Sequence, residues 1–186
     1  MRYTLILFLF PICVSSQNNL PYDVGEYSSF DLTFEGFNVG SAELEILSNK
    51  VISDINTFHI VGKGRTAPFF DWFFKVRDVY ETFLDTSTVL PFKFIRDINE
   101  GGYKKTQAYN FHHNDSLVYV KDTMFYIPPD SQDMLSALFF ARTFNKDSLE
   151  INTSFFVPIF MDEENYLLEI TYLGYDKVKT KFGVVN

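Results

Sequence analysis

The sequence of 186 residues has little of what most enzymes and nucleic-acid-binding proteins require. It has one cysteine, Cys13, which excludes a disulfide framework. Its three histidines, of which His59 is isolated and His112 and His113 are adjacent, lack the spacing of metal ligands. Its 16 basic residues are outnumbered by 24 acidic ones, and the net charge of −8 disfavours nucleic acid as a partner. It also lacks a glycine-rich phosphate loop and a serine-nucleophile motif. We therefore predict no cofactor, no metal and no catalytic residues.

Residues 1–16 have the pattern of an export signal. Arg2 supplies a minimal positive charge, residues 5–13 form an apolar segment too short to span a bilayer, and small residues follow. A buried N-terminal strand and a membrane anchor are the alternatives. We predict a periplasmic protein whose mature chain, residues 17–186, has no thiol and no transmembrane span.

Aromatic residues are abundant, with 22 Phe and 11 Tyr against a single Trp. Such side chains suit half-buried sheet surfaces and line apolar cavities. Alternating apolar and polar residues, separated at steady intervals by short polar turns, predict an antiparallel meander. The predicted strands are residues 28–35, 41–46, 58–66, 76–85, 92–98, 103–111, 117–121, 154–160, 166–174 and 176–182.

One segment, residues 131–142, predicts an α-helix. Asp130 or Ser131 would cap its first turn, and residues 134–141 are apolar almost all round. A helix of this kind is buried on more than one side, so we expect the sheet to curl round it. The predicted fold is mainly β: a strongly curved antiparallel sheet, half-barrel or barrel-like, wrapped round one buried helix in a single domain of residues 17–186.

Residues 67–74 form the most apolar stretch outside the signal and the helix. The stretch is too short and too aromatic to be a membrane span. We interpret it as a loop or one helical turn that plugs one end of the sheet. A mobile lid over a pocket and a partner-binding patch are the alternatives.

Arg96 alternates with Phe92, Phe94 and Ile98, so it is predicted to face the apolar side of its strand. An inward guanidinium needs a carboxylate, because an unpaired buried charge is strongly destabilising. Asp78, which shares a strand face with Tyr80, is the predicted partner. The pair either fixes the strand register or anchors the polar end of a bound ligand.

Six segments carry a resemblance to a known family: 24–26 (VGE), 37–42 (FNVGSA), 76–81 (VRDVYE), 91–96 (PFKFIR), 100–103 (EGGY) and 132–138 (QDMLSAL). In this order they resemble the domain-of-unknown-function 3108 family over roughly residues 22–186. That family consists of exported proteins of Gram-negative bacteria without an assigned reaction. The resemblance implies a curved antiparallel sheet, similar in kind to the half-barrels of periplasmic lipoprotein carriers.

Members of that family continue beyond a strand like residues 177–182, whereas this chain ends at Asn186. The resemblance therefore implies a form without its C-terminal strands. Missing strands would leave an open edge and exposed apolar surface. We expect this form to be less stable than longer relatives.

We predict an exported, non-enzymatic module that binds a lipid-like or other apolar ligand, or a partner in the cell envelope. A structural or interaction protein of the envelope without a ligand is one alternative. A hydrolase that uses Asp78 and neighbouring carboxylates is another. The predicted ligand-binding residues are Phe69, Phe70, Trp72, Phe73, Asp78, Tyr80, Phe92, Phe94 and Arg96.

Overall fold

The computed structural model describes residues 20–180 and 183–185. The predicted signal peptide, residues 1–16, lies outside them. The described residues form one α-helix, α1 (Ser136–Arg142), and two short 3-10 turns, His113–Asp115 and Lys146–Ser148. Their strands are β1 (Tyr27–Phe34), β2 (Phe37–Ile52), β3 (Ile55–Thr66), β4 (Arg77–Asp85), β5 (Pro91–Glu100), β6 (Tyr103–His112), β7 (Leu117–Val120), β8 (Thr123–Tyr126), β9 (Ser154–Met161), β10 (Glu164–Thr171), β11 (Val178–Thr180) and β12 (Gly183–Val185).

Eight consecutive strands form one antiparallel sheet. Its order is β1 to β8 without a crossover, and within the described residues β1 and β8 are its open edges. Because neighbouring strands run in opposite directions, successive connections alternate between the two ends of the sheet. β9 pairs with β10 in a second sheet, and β11 pairs with β12 in a third. The prediction of a mainly β fold with a large antiparallel meander is confirmed.

One face of the eight-stranded sheet, the inner face, is covered by other elements. Its buried side chains alternate along the central strands, as the sequence pattern predicts: Phe94, Arg96 and Ile98 on β5, and Gln107, Tyr109 and Phe111 on β6. The covering side chains come from α1 and β9, where Phe139, Val157 and Phe160 are almost fully buried. Arg96 is only 7% exposed, so its predicted inward orientation is confirmed.

The helix begins later than predicted. The Asp133 carboxylate accepts hydrogen bonds from the backbone N–H groups of Leu135 at 2.7 Å and Ser136 at 2.8 Å, and so caps the turn of residues 134–135 that leads into the helix at Ser136. The residue before the cap, Gln132, instead bridges to β9: its N–H donates to the Pro158 carbonyl at 2.8 Å. The residues from 131 to 135 therefore lead into the helix and do not belong to it.

The helix has one buried side and one exposed side. Phe139 is 1% exposed against the sheet, whereas Leu138 next to it is 54% exposed. A seven-residue helix that lies on one face of an open sheet can bury only the side that meets that face. The prediction that the helix is buried on more than one side is therefore wrong.

Candidate functional site

The nine residues predicted to bind a ligand lie in three separate places. On the inner face, Tyr80 is the cross-strand partner of Arg96, and its ring stacks on that of Phe94, with 6.3 Å between centroids. In the loop between β3 and β4, the rings of Phe69 and Phe70 are also in contact, with 5.3 Å between centroids. The three places are the inner face (Asp78, Tyr80, Phe94, Arg96), the start of β5 (Phe92) and the loop between β3 and β4 (Phe69, Phe70, Trp72, Phe73).

Arg96 is held by protein groups, but not by its predicted partner. Its Nε donates to the side-chain oxygen of Gln107 at 2.9 Å, and its Nη2 donates to a carboxylate oxygen of Asp162. Asp162 lies in the turn between β9 and β10, 66 residues further along the chain. The prediction that Asp78 pairs with Arg96 is therefore wrong, because the carboxylate that reaches Arg96 comes from the covering hairpin.

The same contacts hold the β9–β10 hairpin on the inner face. Asp162 and Glu163 have φ angles of 52° and 66°, the left-handed pair that a two-residue type I′ turn requires. The side-chain amide of Gln107 donates to a Glu163 carboxylate oxygen at 2.9 Å, and the Tyr109 hydroxyl donates to the side-chain oxygen of Gln107 at 3.2 Å. Both turn residues are thus bound by the sheet, which favours a structural role for Arg96.

Asp78 belongs to a second polar group near the end of β5. Its carboxylate accepts hydrogen bonds from the backbone N–H of Asn99 at 2.8 Å and from the Tyr80 hydroxyl at 3.4 Å. Burial, together with the negative charge of Asp78, raises the pKa of Tyr80 to about 12. The hydrogen bond between the side chains of Glu100 and Asp78 raises the pKa of Glu100. Asp78 itself is buried, and the hydrolase that would use it stays a prediction.

The loop between β3 and β4 exposes its aromatic rings. Phe69 is 75% exposed, Trp72 81% and Phe73 78%, while Phe70 is half-buried. The backbone forms a helical turn, with the N–H of Phe74 donating to the Phe70 carbonyl at 2.9 Å. The interpretation of this segment as a core plug is therefore wrong, because a single turn beyond the ends of β3 and β4 has no second layer against which to pack three rings.

Phe92 lies apart from the other predicted residues. It lines a cavity of about 270 Å³ at the opposite end of the sheet, beside the β4–β5 connection and the turn at His113–Asp115. The register shifts between Phe83 and Leu84 where β4 pairs with β5, which takes Phe92 out of the simple alternation with Phe94. Phe92 therefore does not share a site with Arg96.

A larger cavity lies between the end of α1 and the β9–β10 hairpin. Its volume is about 530 Å³, and its walls are mostly apolar. Phe144 and Phe155 form part of the wall, with ring centroids 4.5 Å apart. The lining residues are Pro21, Ala141, Arg142, Phe144, Lys146, Leu149, Phe155, Ile170, Thr171, Tyr172 and Leu173.

Two basic residues and no acidic residue are among those that line this cavity. Arg142 is already engaged: its Nη1 and Nη2 donate to the two carboxylate oxygens of Glu26 at 2.6 and 2.8 Å, which raises the pKa of Arg142. The guanidinium also lies 5.1 Å from the Tyr22 ring centroid. The Lys146 ammonium lies 5.7 Å from the ring centroid of Tyr175, a weaker contact. Lys146 is thus the cation better placed to meet an anionic group.

Sequence reasoning did not predict this cavity. Its walls come from the N-terminal lead, the end of α1, the following connection and both strands of the second sheet, which no local pattern links. The available signal was the pair Phe155 and Ile170, which are cross-strand partners and both line the cavity. An apolar face on a two-stranded hairpin implies that something must cover it.

Two absences hold for the described residues alone. None of the helices within residues 20–180 and 183–185 has the length and apolar character to cross a membrane. Over the same residues, no three His, Cys, Asp or Glu side chains form a group suited to a metal ion.

A family model covers residues 29–186 of the chain, and its description reads "Protein of unknown function (DUF3108)". The matched region includes the whole eight-stranded sheet except the first two residues of β1, together with α1 and both later hairpins. Comparison with curated proteins and with solved structures gives no match.

Proposed function

This chain belongs to the DUF3108 family, and we propose that it is an exported, non-enzymatic module that binds a lipid-like apolar molecule. The observation that carries the proposal is the cavity of about 530 Å³ between α1 and the β9–β10 hairpin. Pockets for small molecules typically have volumes of about 300–1,000 Å³, mostly apolar walls and a few placed polar groups. This cavity has those properties.

The chemistry of the walls supports an amphiphile with an anionic head. The rings of Phe144 and Phe155 and the side chains of Leu149 and Ile170 would contact the apolar portion. Lys146 would meet the anionic group, because no acidic residue lines the cavity to compete with the ligand. A bound fatty acid or phospholipid has this combination of features.

Export and sheet curvature are part of the same proposal. The signal peptide would be cleaved after residue 16, so that the mature chain would begin at Gln17. The mature protein would act in the periplasm. A more strongly curled sheet would enclose α1 further, while the cavity itself is lined by residues outside β1–β8. The mass of the protein recovered from a periplasmic fraction tests both the export and the cleavage after residue 16.

Native mass spectrometry of the protein purified from a bacterial envelope tests the proposal. We expect a retained lipid mass that organic extraction removes. A dansylated fatty acid should then bind the extracted protein, and Ala141→Phe, which fills the cavity, should reduce that binding at least about tenfold. Leu138→Phe is the matched control, because Leu138 lies on the same helix but does not line the cavity.

Two outcomes would contradict the proposal. One is a bare chain that does not bind the dansylated fatty acid, which would favour a structural envelope protein without a ligand. The other is equal loss of binding in Ala141→Phe and Leu138→Phe, which would place the ligand elsewhere. The inner-face residues Phe94 and Arg96 would then be the next site to test.

A further inference from the structure

Four connections lie at one end of the eight-stranded sheet, and three of them, β1–β2, β3–β4 and β5–β6, carry exposed aromatic rings. The N–H of Ala67 donates to the Val39 carbonyl at 2.9 Å, and the N–H of Gly101 donates to the Lys75 carbonyl at 2.8 Å, so the connections are neighbours in space. We call residues 34–37, 67–75 and 100–103 the aromatic end. Its exposed rings are Phe34, Phe37, Phe69, Trp72, Phe73, Phe74 and Tyr103.

Hydrogen bonds to the last residue of β3 and the first residue of β4 hold the aromatic end in place. Arg77 donates to both carboxylate oxygens of Asp71, at 3.0 and 2.5 Å, and the Thr66 hydroxyl donates to Asp71 at 2.6 Å. The hydrogen bond from Arg77 lowers the pKa of Asp71 and keeps it ionised. Gly101, with a φ of 55°, leaves room for the Phe74 ring: a Cβ there would lie 2.4 Å from the ring.

This anchoring means that the exposed rings are presented in a fixed arrangement. A preorganised surface loses less conformational freedom on binding than a mobile loop does. Phe69, Trp72 and Phe73 lie beyond the last paired residues of β3 and β4, and their exposed rings bury little surface within the fold. An external apolar surface would account for them.

The charges at the aromatic end differ from those of the whole chain. The aromatic end itself contains one basic residue, Lys75, and three acidic ones, Glu35, Asp71 and Glu100. Together with the adjoining residues 76–77 and 104–105 it has four basic and three acidic side chains, whereas the chain as a whole carries −8. One of the three acidic groups, Asp71, is neutralised by Arg77. Lys75, Lys104 and Lys105 therefore outnumber Glu35 and Glu100 next to the rings, which leaves a small local excess of positive charge.

We propose that the aromatic end docks on an anionic lipid surface. The rings of Phe69, Trp72 and Phe73 enter the boundary between headgroups and acyl chains, where Trp and Tyr are enriched in membrane proteins. Lysine side chains beside them reach the phosphates and keep their charge in water. The rings sit on three separate turn tips, a shape that fits a deformable lipid surface better than a preformed protein pocket.

This inference does not depend on the proposed cavity ligand. None of the residues that line the cavity belongs to the aromatic end. The two proposals can therefore fail separately: the protein could dock on a lipid surface with an empty cavity, or hold a lipid in the cavity without docking.

The single tryptophan makes the test direct, because Trp72 is the only one in the chain and lies at the tip of the proposed surface. The protein is produced from Gln17, so every described residue and every contact used above is retained. The fluorescence emission of Trp72 is followed during titration with vesicles of phosphatidylethanolamine and phosphatidylglycerol. We expect a shift of Trp72 emission to shorter wavelength and quenching by brominated acyl chains. Vesicles of phosphatidylcholine alone should bind more weakly.

Matched double variants identify the surface responsible. Phe69→Ser with Phe73→Ser keeps the Trp72 reporter and should reduce vesicle affinity at least about tenfold. Tyr126→Ser with Phe156→Ser removes two exposed aromatic rings of β8 and β9 and should leave the affinity unchanged. All four side chains are exposed, so folding should survive each substitution.

Three results would overturn the proposal. The first is that the emission of Trp72 responds to neither kind of vesicle. The second is that the two double variants lose vesicle affinity equally. The third is a Trp72 that is shielded before vesicles are added, in a protein that elutes as a dimer, because a second copy would then cover the aromatic end.

Discussion

The inner face of the sheet and the aromatic end are built from the same kinds of residue, yet they differ completely in exposure. On the inner face the rings of Phe94 and Tyr109 pack against each other, Phe160 of β9 covers Tyr109, and almost no surface of these rings reaches water. At the aromatic end Trp72 and Phe73 contact each other edge to face and are otherwise open to solvent. Aromatic content alone therefore does not distinguish packing from recognition, and the covering layer decides between them.

The opposite end of the sheet sharpens this contrast. Its connections, residues 53–54, 86–90 and 113–116, contain no exposed large hydrophobic side chain. The β4–β5 connection satisfies its own polar groups: the Asp85 carboxylate accepts from the Ser87 N–H at 2.8 Å and from the Thr88 hydroxyl at 2.9 Å. Turns of this sheet can thus be built without exposed rings, so the rings at the aromatic end are not a requirement of the fold.

The largest expected effect is on the inner face. Phe160→Ala should lower the free energy of unfolding by about 3–5 kcal/mol, because it leaves a cavity among Tyr109, Phe125 and Leu135. Chemical denaturation measures the change. The matched control is Phe156→Ala on the same strand, where the ring is exposed and the expected change is below about 0.5 kcal/mol. Equal losses at the two positions would show that β9 does not present Phe160 to the sheet.

The second prediction concerns the carboxylate that caps the turn leading into α1. Burial raises the pKa of Asp133 to about 6, even though the Thr82 hydroxyl donates to it at 2.6 Å. A folded-state pKa above the unfolded value means that this group favours folding at low pH, and that the advantage is lost as pH rises through about 6.

Asp133→Asn retains an acceptor for the Leu135 and Ser136 N–H groups but cannot ionise. Relative to this variant, the wild-type protein should lose about 2–3 kcal/mol of stability between about pH 4 and about pH 7. Denaturation curves at several pH values measure the difference. The control, Asp130→Asn, makes the same chemical change at an exposed carboxylate three residues earlier. A flat difference for Asp133→Asn would mean that the carboxylate is solvated.

A smaller loss is expected for Arg96→Met. The guanidinium is buried, but Asp162 is 48% exposed at its side chain and can return to water when its partner is removed. We expect a loss of about 1–3 kcal/mol, with binding of the dansylated fatty acid unchanged. Arg65→Met, at an exposed pair with Glu43, should change stability by less than about 0.5 kcal/mol. An unchanged melting temperature together with lost ligand binding would instead assign Arg96 to the ligand.

The smallest effect on stability is expected at the aromatic end. Phe69→Ser with Phe73→Ser should change the free energy of unfolding by less than about 0.5 kcal/mol, since both rings are already in water. Thermal unfolding of the variant and the wild type provides the measurement. A loss comparable to that of Phe160→Ala would mean that these rings belong to the core.

Local patterns predicted the features that depend on neighbouring residues. The alternation of Phe94 and Arg96 correctly predicted which side of β5 is buried, because a strand places every second side chain on one face. The helix start was misplaced because Asp133 resembles a first-turn residue in sequence, whereas in the fold its carboxylate caps the turn before the helix. Chain order alone does not separate these two roles.

Contacts between distant elements could not be predicted in this way. The partner of Arg96 lies in a turn 66 residues away, and nothing near Asp162 identifies the strand that it meets. The exposure of residues 67–74 was misjudged for a related reason, since an apolar stretch predicts burial only if another element reaches it. The cavity beside α1 likewise depends on how the β9–β10 hairpin is docked.

Acrylamide quenching of Trp72 in the free protein, without lipid or ligand, tests the central contrast most directly. With a side chain as exposed as that of Trp72, we predict a quenching constant close to that of a free tryptophan derivative under the same conditions. A constant several-fold lower would show that the aromatic end is covered by the protein itself. In that case the distinction between a packed inner face and a presented aromatic end would be wrong.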